Sequence, residues 1–166
     1  MMRQVFNTQN THRNTTTNFR KAGSVNLSDV YFIVGRGTAS ASELLINNLK
    51  PYMNVKLLGA SNTHGKPVGY FPISLGEWYL FPVSFKTTNK NGEGNYYTGI
   101  PVNAQIADGL DKDWGDINES SLAGALRHIS TGAFRGVPFY ESPLVAEGNE
   151  LLEQPLLKIT VDNRGL

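Results

Sequence analysis

The sequence has no cysteine, no long apolar run and almost no net charge. Without cysteine, the chain has no disulfide scaffold, no thiol nucleophile and no thiolate metal site, while either redox compartment fits this composition. Its 15 basic and 14 acidic residues leave a formal net charge of +1 without any block of like charge, which argues against nucleic acid as a partner. No apolar run approaches the roughly 20 residues of a membrane span. The amino terminus also lacks the apolar core of a signal peptide.

The length and the polar start of the chain predict one domain preceded by a short arm. A chain of 166 residues is long enough for one domain with its own core. Residues 1–28 include the polar run "NTQNTHRNTTTN", whose burial would not offset the entropy of ordering it. We therefore predict a polar N-terminal arm or an exposed hairpin over residues 1–28.

The middle of the chain carries the pattern of a parallel strand–helix–strand unit. The continuous apolar run "VYFIV" at residues 30–34 is typical of a strand buried on both faces of a parallel sheet. The segment "VKLLG" at residues 55–59 reads as a second strand. Between them, apolar residues recur at helical spacing up to Pro51, namely Ala41, Leu44, Leu45 and Leu49. This order predicts a right-handed βαβ unit in an α/β fold.

The rest of the chain predicts a β-hairpin, a second helix and a tail. Pro72 and Pro82 interrupt two β-rich segments, which are therefore predicted as edge or hairpin strands. The segment "DWGDINESSLAGALRHI" at residues 113–129 predicts a capped helix, whose apolar face would be Leu122, Leu126 and Ile129. Residues 132–166 are predicted to form a C-terminal tail or docking segment.

The stretch "VGRGTASASELL" at residues 34–45 joins the first strand to the helix and has three interpretations. Gly35 and Gly37 followed by Ser40 resemble a dinucleotide fingerprint in outline, but Ser40 replaces the third small residue and no acidic residue ends the second strand. Ser40 and Glu43 also form a capping box, which predicts no more than a helix start. A serine on a tight strand-to-helix turn is finally the arrangement of a nucleophile elbow.

A nucleophilic serine needs a base, and the loop after the second strand offers two candidates. This loop, "THGKPVG" at residues 63–69, carries His64 and Lys66. It leaves the neighbouring parallel strand at its carboxyl end, so it lies at the same sheet edge as Ser40. A free lysine has a pKa of about 10.4 and is no base at pH 7. Burial disfavours the charged form and can lower a lysine pKa to roughly 7–8.

The two loops together resemble those of the C-terminal processing peptidases, also called tail-specific proteases. That family of serine proteases combines a small-residue "SASASE" turn, a helix, a strand ending in glycine and a "T-aromatic-G-K-G" loop. Here "GTASASE" precedes "THGKPVG", and "YTGIPVNAQIADGL" is similar to the family's "G-hydrophobic-x-P-D" segment. The resemblance spans roughly residues 28 to 131. Three positions depart from the pattern: His64, Pro67 and Asn103.

The resemblance implies a role for individual residues of the two loops. Ser40 becomes the nucleophile and Lys66 the general base, as in the family's Ser–Lys dyad. The backbone N–H of Ala41 becomes one oxyanion donor, and Ser42 an ordinary helix residue. Many members carry a glutamine four residues after the lysine to orient it. Tyr70 stands at that position here and is the candidate orienting residue.

The resemblance also implies a fold and a function. The fold is a crotonase/ClpP-like α/β core, of which residues 29–131 would form the C-terminal half. The function is a serine endopeptidase that cleaves protein or peptide tails, without cofactor or metal, in an extracytoplasmic (periplasmic or envelope) setting in bacteria. A homo-oligomer is compatible with the sequence.

The sequence also raises the question of completeness. It contains no "R-x-N-x-G-G"-like segment that would supply the family's second oxyanion donor. We therefore expect the 166-residue chain alone to hydrolyse peptides poorly. The departures at His64, Pro67 and Asn103, with Tyr70 in place of glutamine, favour an alternative: a noncatalytic peptide-binding or scaffold module that keeps the peptidase fold.

Overall fold

A computed structural model of the chain describes residues 1–107, 109 and 111–134. The predicted tail therefore lies outside the described residues from residue 135 onward. The strands are β1 (Met2–Val5), β2 (Thr15–Thr17), β3 (Asp29–Ile33), β4 (Asn54–Gly59), β5 (Val68–Tyr70), β6 (Ile73–Leu75), β7 (Trp78–Leu80), β8 (Val83–Thr88) and β9 (Ala104–Gln105). The α-helices are α1 (Ala41–Leu49) and α2 (Ser120–Thr131), and a 3-10 helix spans Thr8–Arg13. The fold is of the mixed α/β kind.

The centre of the molecule is a parallel sheet in the order β3-β4-β9. β3 pairs in parallel with β4, for example Tyr31 with Lys56, and β4 pairs in parallel with β9. Helix α1 connects β3 to β4. The predicted parallel strand–helix–strand unit is thus present, because two short apolar strands of this kind need helices to cover their faces.

The core lies on both faces of this parallel sheet. Successive strand residues point to opposite faces, and the neighbours Leu57 and Leu58 belong to different clusters. Leu57 packs with Ile46 of α1, whereas Leu58 packs with Ala125 of α2. The sheet is therefore sandwiched between the two helices.

The apolar residues whose spacing predicted the two helices are not the most buried residues of those helices. Leu45 of α1 is 53% exposed, and the buried residues there are Glu43, Ile46, Asn47 and Asn48. In α2, Leu126 and Ile129 are exposed, and the buried residues are Ser121, Gly124 and Ala125. Small residues let α2 approach the sheet closely, while the polar residues of α1 form hydrogen bonds to loops. For example, the Asn47 amide donates to the carbonyl of Glu93 at 2.9 Å.

An antiparallel sheet in the order β2-β1-β8-β5 carries the amino terminus. β1 pairs with β2, as in Arg3 with Thr16, and also with β8, as in Arg3 with Thr88. β8 pairs on its other side with β5. The first residues of the chain therefore belong to the same sheet as β5, which begins two residues after Lys66.

The predicted hairpin between Pro72 and Pro82 is confirmed. β6 and β7 form a separate two-stranded antiparallel sheet. A proline lacks the N–H that a ladder needs, so the flanking prolines interrupt pairing on both sides. Trp78, at the start of β7, is 78% exposed.

Candidate active site

The candidate site is built from two loops that follow neighbouring parallel strands. The first loop runs from the end of β3 to Ser40, and the second runs from the end of β4 to Lys66. Both therefore leave the sheet at its carboxyl edge, where α/β folds place their sites. The backbone N–H of His64 donates to the carbonyl of Thr38 at 2.9 Å. The structure thus brings the two predicted loops into direct contact.

Ser40 has an unusual backbone at the turn into α1. Its φ is +56° and its ψ −108°, and it is the one non-glycine residue with positive φ in the described part of the chain. Such a conformation costs about 1–3 kcal/mol and persists only where the surrounding structure holds it. The next residue, Ala41, is the first residue of α1. Its N–H therefore belongs to the group that lacks an acceptor inside the helix.

Glu43 joins the two loops through a completely buried carboxylate. Its Oε2 accepts the backbone N–H of Ser40 at 2.9 Å and that of Lys66 at 2.8 Å. Its Oε1 accepts the hydroxyl of Thr63 and the backbone N–H of Gly65, both at 2.6 Å. The capping box predicted only the bond to Ser40. The contacts with the second loop were missed, because no local pattern indicates them.

These hydrogen bonds also determine the charge of Glu43. Burial raises the pKa of this carboxyl, but the bonds from Thr63, Lys66, Gly65 and Ser40 lower it further than burial raises it, so the pKa lies below its ordinary value. Hydrogen bonds to the charged form have this effect in general. Glu43 is therefore an anion at neutral pH, held by four donors.

Lys66 and Tyr70 form the second feature of the site. Lys66 is half-buried, and its Nζ donates to the hydroxyl of Tyr70. The same Nζ lies 4.5 Å from the centre of the Tyr70 ring. Within the described residues, no hydrogen bond joins the Lys66 amine to Ser40. The structure thus brings the backbones of Ser40 and Lys66 together and places the lysine amine on Tyr70.

A third segment, residues 99–103, contacts the second loop and the strand before it. The Thr63 hydroxyl accepts the backbone N–H of Ile100 at 2.7 Å, and the Thr63 N–H donates to the Ile100 carbonyl at 3.2 Å. Gly99 has a φ of +89°, and a Cβ there would lie 2.1 Å from the Thr63 carbonyl oxygen. Asn103, one of the departures from the family pattern, accepts the backbone N–H of Leu57 through Oδ1 at 2.8 Å. The amide oxygen of Asn103 thus accepts a hydrogen bond from β4 at the position where the family pattern has an aspartate.

The other candidates lie at the margin of the site. Ser42 is exposed on α1, and His64 is exposed on the second loop. Neither side chain takes part in the Glu43 network.

Within the described residues, no group of three or more acidic, histidine or cysteine side chains could hold a metal ion. No helix in that part of the chain is long and apolar enough to cross a membrane.

Comparison with known proteins identifies the family. The sequence profile of Peptidase family S41 matches residues 2–105. A solved structure assigned as an S41 protease, from Bacteroides fragilis NCTC 9343, superimposes with a TM-score of 0.69 and 26% sequence identity. The match covers 80% of this chain and 36% of that one, so this chain spans about a third of the matched protein. No curated protein matches the sequence.

Residues 2–105, which the family profile matches, include both loops of the candidate site. The chain is a member of peptidase family S41, the family of the C-terminal processing peptidases. The sequence resemblance is thereby confirmed at the level of the family.

Proposed function

We propose that this chain carries the Ser–Lys dyad of a C-terminal processing peptidase, with Ser40 as nucleophile and Lys66 as general base. The observation that carries the proposal is the Glu43 carboxylate, which binds the backbone N–H groups of both residues through one oxygen atom. One buried anion thus fixes the backbones of both candidate catalytic residues. This suits a reaction in which the nucleophile and the base must keep a constant distance and orientation. The core around them is of the crotonase type.

The reaction follows from the chemistry of the two side chains. The neutral Lys66 amine accepts the Ser40 proton while Oγ attacks the carbonyl carbon of the scissile peptide bond. The N–H of Ala41, at the positive end of α1, stabilises the oxyanion that forms. The C–N bond then breaks, and the lysine gives the proton to the leaving amine. Water subsequently hydrolyses the acyl-enzyme, with Lys66 again acting as base.

Tyr70 is the candidate for orienting the lysine. Its hydroxyl binds the Lys66 amine, and it stands where many family members carry a glutamine. In the reaction, the Tyr70 hydroxyl keeps its hydrogen bond with the Lys66 amine, so that the lone pair of the neutral amine is directed to the Ser40 proton. Pro67 is fully buried beside the lysine and restricts the backbone there.

The test is covalent labelling of the serine. The purified chain is treated with a fluorophosphonate probe, which reacts with activated serines. We expect Ser40→Ala to abolish labelling and Ser42→Ala to retain most of it, because Ser42 is exposed outside the Glu43 network. Labelling that survives in Ser40→Ala and disappears in Ser42→Ala would refute the assignment.

A noncatalytic binding module is the second candidate function. One observation favours it: the Lys66 amine contacts Tyr70 instead of the serine it would deprotonate. Such a module would bind peptide substrates at the same loops and leave them intact. Peptide binding without any serine-dependent labelling would select this alternative.

A further inference from the structure

The hairpin that follows the candidate site is exposed on both faces and is mostly apolar. From Tyr70 to Val83 the sequence contains one charged residue, Glu77 at the turn. The pairs Ile73–Leu80 and Leu75–Trp78 lie opposite each other, so these four exposed side chains share one face. The other face carries Ser74 opposite Tyr79. A contiguous exposed apolar surface of this kind usually marks an interaction site.

Only one of the two faces is connected to the candidate dyad. Phe81 contacts Tyr70 edge-on, with ring centres 6.2 Å apart and planes at 74°. Phe81 also contacts Tyr79, with ring centres 6.4 Å apart. Tyr70 in turn binds the Lys66 amine. These three rings, Tyr70, Phe81 and Tyr79, form an aromatic row that starts at the candidate base.

The aromatic row becomes more exposed with distance from the lysine. The exposed fractions are 38% for Tyr70, 58% for Phe81 and 65% for Tyr79. Each ring therefore presents a free surface, although its neighbours hold it in place. Rings that are ordered in advance offer large apolar contact at a low entropic cost.

We propose that the aromatic row binds apolar side chains of the polypeptide that the dyad acts on. The inference rests on the proposed function and names its substrate class: chains with apolar or aromatic residues beside the scissile bond. A peptide carbonyl within reach of Ser40 and Lys66 places the adjoining substrate residues next to Tyr70, because Tyr70 contacts the lysine amine directly. With one charge in the whole segment, the surface selects by apolar contact and not by ion pairing.

The experiment measures binding separately from cleavage. The Ser40→Ala chain is titrated with two fluorescent peptides of equal length and charge, one rich in Phe and Leu and one rich in Ser and Gln. Fluorescence anisotropy gives the dissociation constants. We expect the apolar peptide to bind at least about tenfold more tightly.

The hairpin itself offers a matched control. Tyr79→Ser combined with Phe81→Ser removes two rings of the aromatic row, and should weaken binding of the apolar peptide about tenfold. Trp78→Ser combined with Leu80→Ser removes similar apolar surface from the opposite face, and should change binding less than about twofold. Thermal unfolding of both double variants establishes that each is folded at the temperature of the titration.

The outcomes separate this inference from the proposed function. Equal weakening by both double variants, or by neither, overturns the inference while serine labelling can still support the dyad. A dimer in sedimentation velocity that only the aromatic-row variant dissociates also overturns it, because the surface then binds a second copy. Row-dependent peptide binding without serine labelling supports the binding surface and refutes the catalytic proposal.

Discussion

At the scale of single residues, Glu43 is the side chain that holds the two loops of the site together. Its carboxylate is fully buried and accepts four hydrogen bonds from two loops. A neutral amide in its place would present its NH2 group to two of these donors. The charge and the acceptor count of Glu43 are therefore both structural requirements.

We expect Glu43→Gln to lower the free energy of unfolding at pH 7 by about 2–4 kcal/mol, because hydrogen bonds to a charged group are lost and buried donors stay unpaired. Urea unfolding measures this. Glu77→Gln, at an exposed turn, is the control and should change stability by less than about 0.5 kcal/mol.

The effect of Glu43→Gln on stability should depend on pH. The folded-state pKa of Glu43 lies below its ordinary value, so its stabilisation is complete above the unfolded-state pKa of about 4.3. It is lost as the pH falls through the folded-state pKa. The stability difference between wild type and Glu43→Gln should therefore shrink below about pH 4.3. A constant difference down to pH 3 would argue against the ionised carboxylate.

Tyr70 provides a second test at this scale. Tyr70→Phe keeps the ring and removes the hydroxyl that binds Lys66. If that hydroxyl orients the base, the rate of fluorophosphonate labelling should fall roughly 10- to 100-fold, which corresponds to the loss of one hydrogen bond that positions the amine. Tyr70→Gln, which introduces the residue that many family members carry, should restore most of the rate. An unchanged rate in Tyr70→Phe would remove Tyr70 from the mechanism.

At the scale of elements, the helices show what local sequence patterns determine. The capping box placed the start of α1, and Glu119 begins α2 by accepting the N–H groups of Ser121 and Leu122 at 2.9 and 2.7 Å. The orientation of each helix is set by what lies opposite. Leu45 and Leu126 follow helical spacing and are nevertheless exposed, because polar or small residues fill the buried faces.

The cap of α2 gives a prediction at this scale. Glu119→Ala should lower the free energy of unfolding by about 1 kcal/mol, since two N–H groups at the helix start lose their acceptor. Asp113→Ala removes a similar charge from an exposed position before the helix and serves as control. Urea unfolding of both variants measures the difference. Equal effects of the two substitutions would show that charge, and not capping, is responsible.

At the scale of the whole molecule, the sequence predicted the part of the fold that is local. The apolar runs of β3 and β4 predicted the parallel unit, but the expected burial of the first run on both faces is wrong: β3 lies at the edge of its sheet and Ile33 is 51% exposed. The pairing of β1 with β8 was not predicted, because a short polar strand carries no signal for a partner about eighty residues away. For the same reason the sequence indicated Ser40 and Lys66 as candidates, and not the carboxylate that joins their backbones.

The buried carboxylate of Glu43 has a consequence for when the site exists. Three of its four donors lie on a loop about twenty residues further along the chain, so only the local bond from Ser40 can form before β4 has paired beside β3. A nascent or partly unfolded chain carries the serine and the lysine as ordinary, unconnected side chains. Opening the second loop breaks three of the four hydrogen bonds to this carboxylate at once. The complete site therefore exists only in chains in which the parallel sheet beneath it has folded.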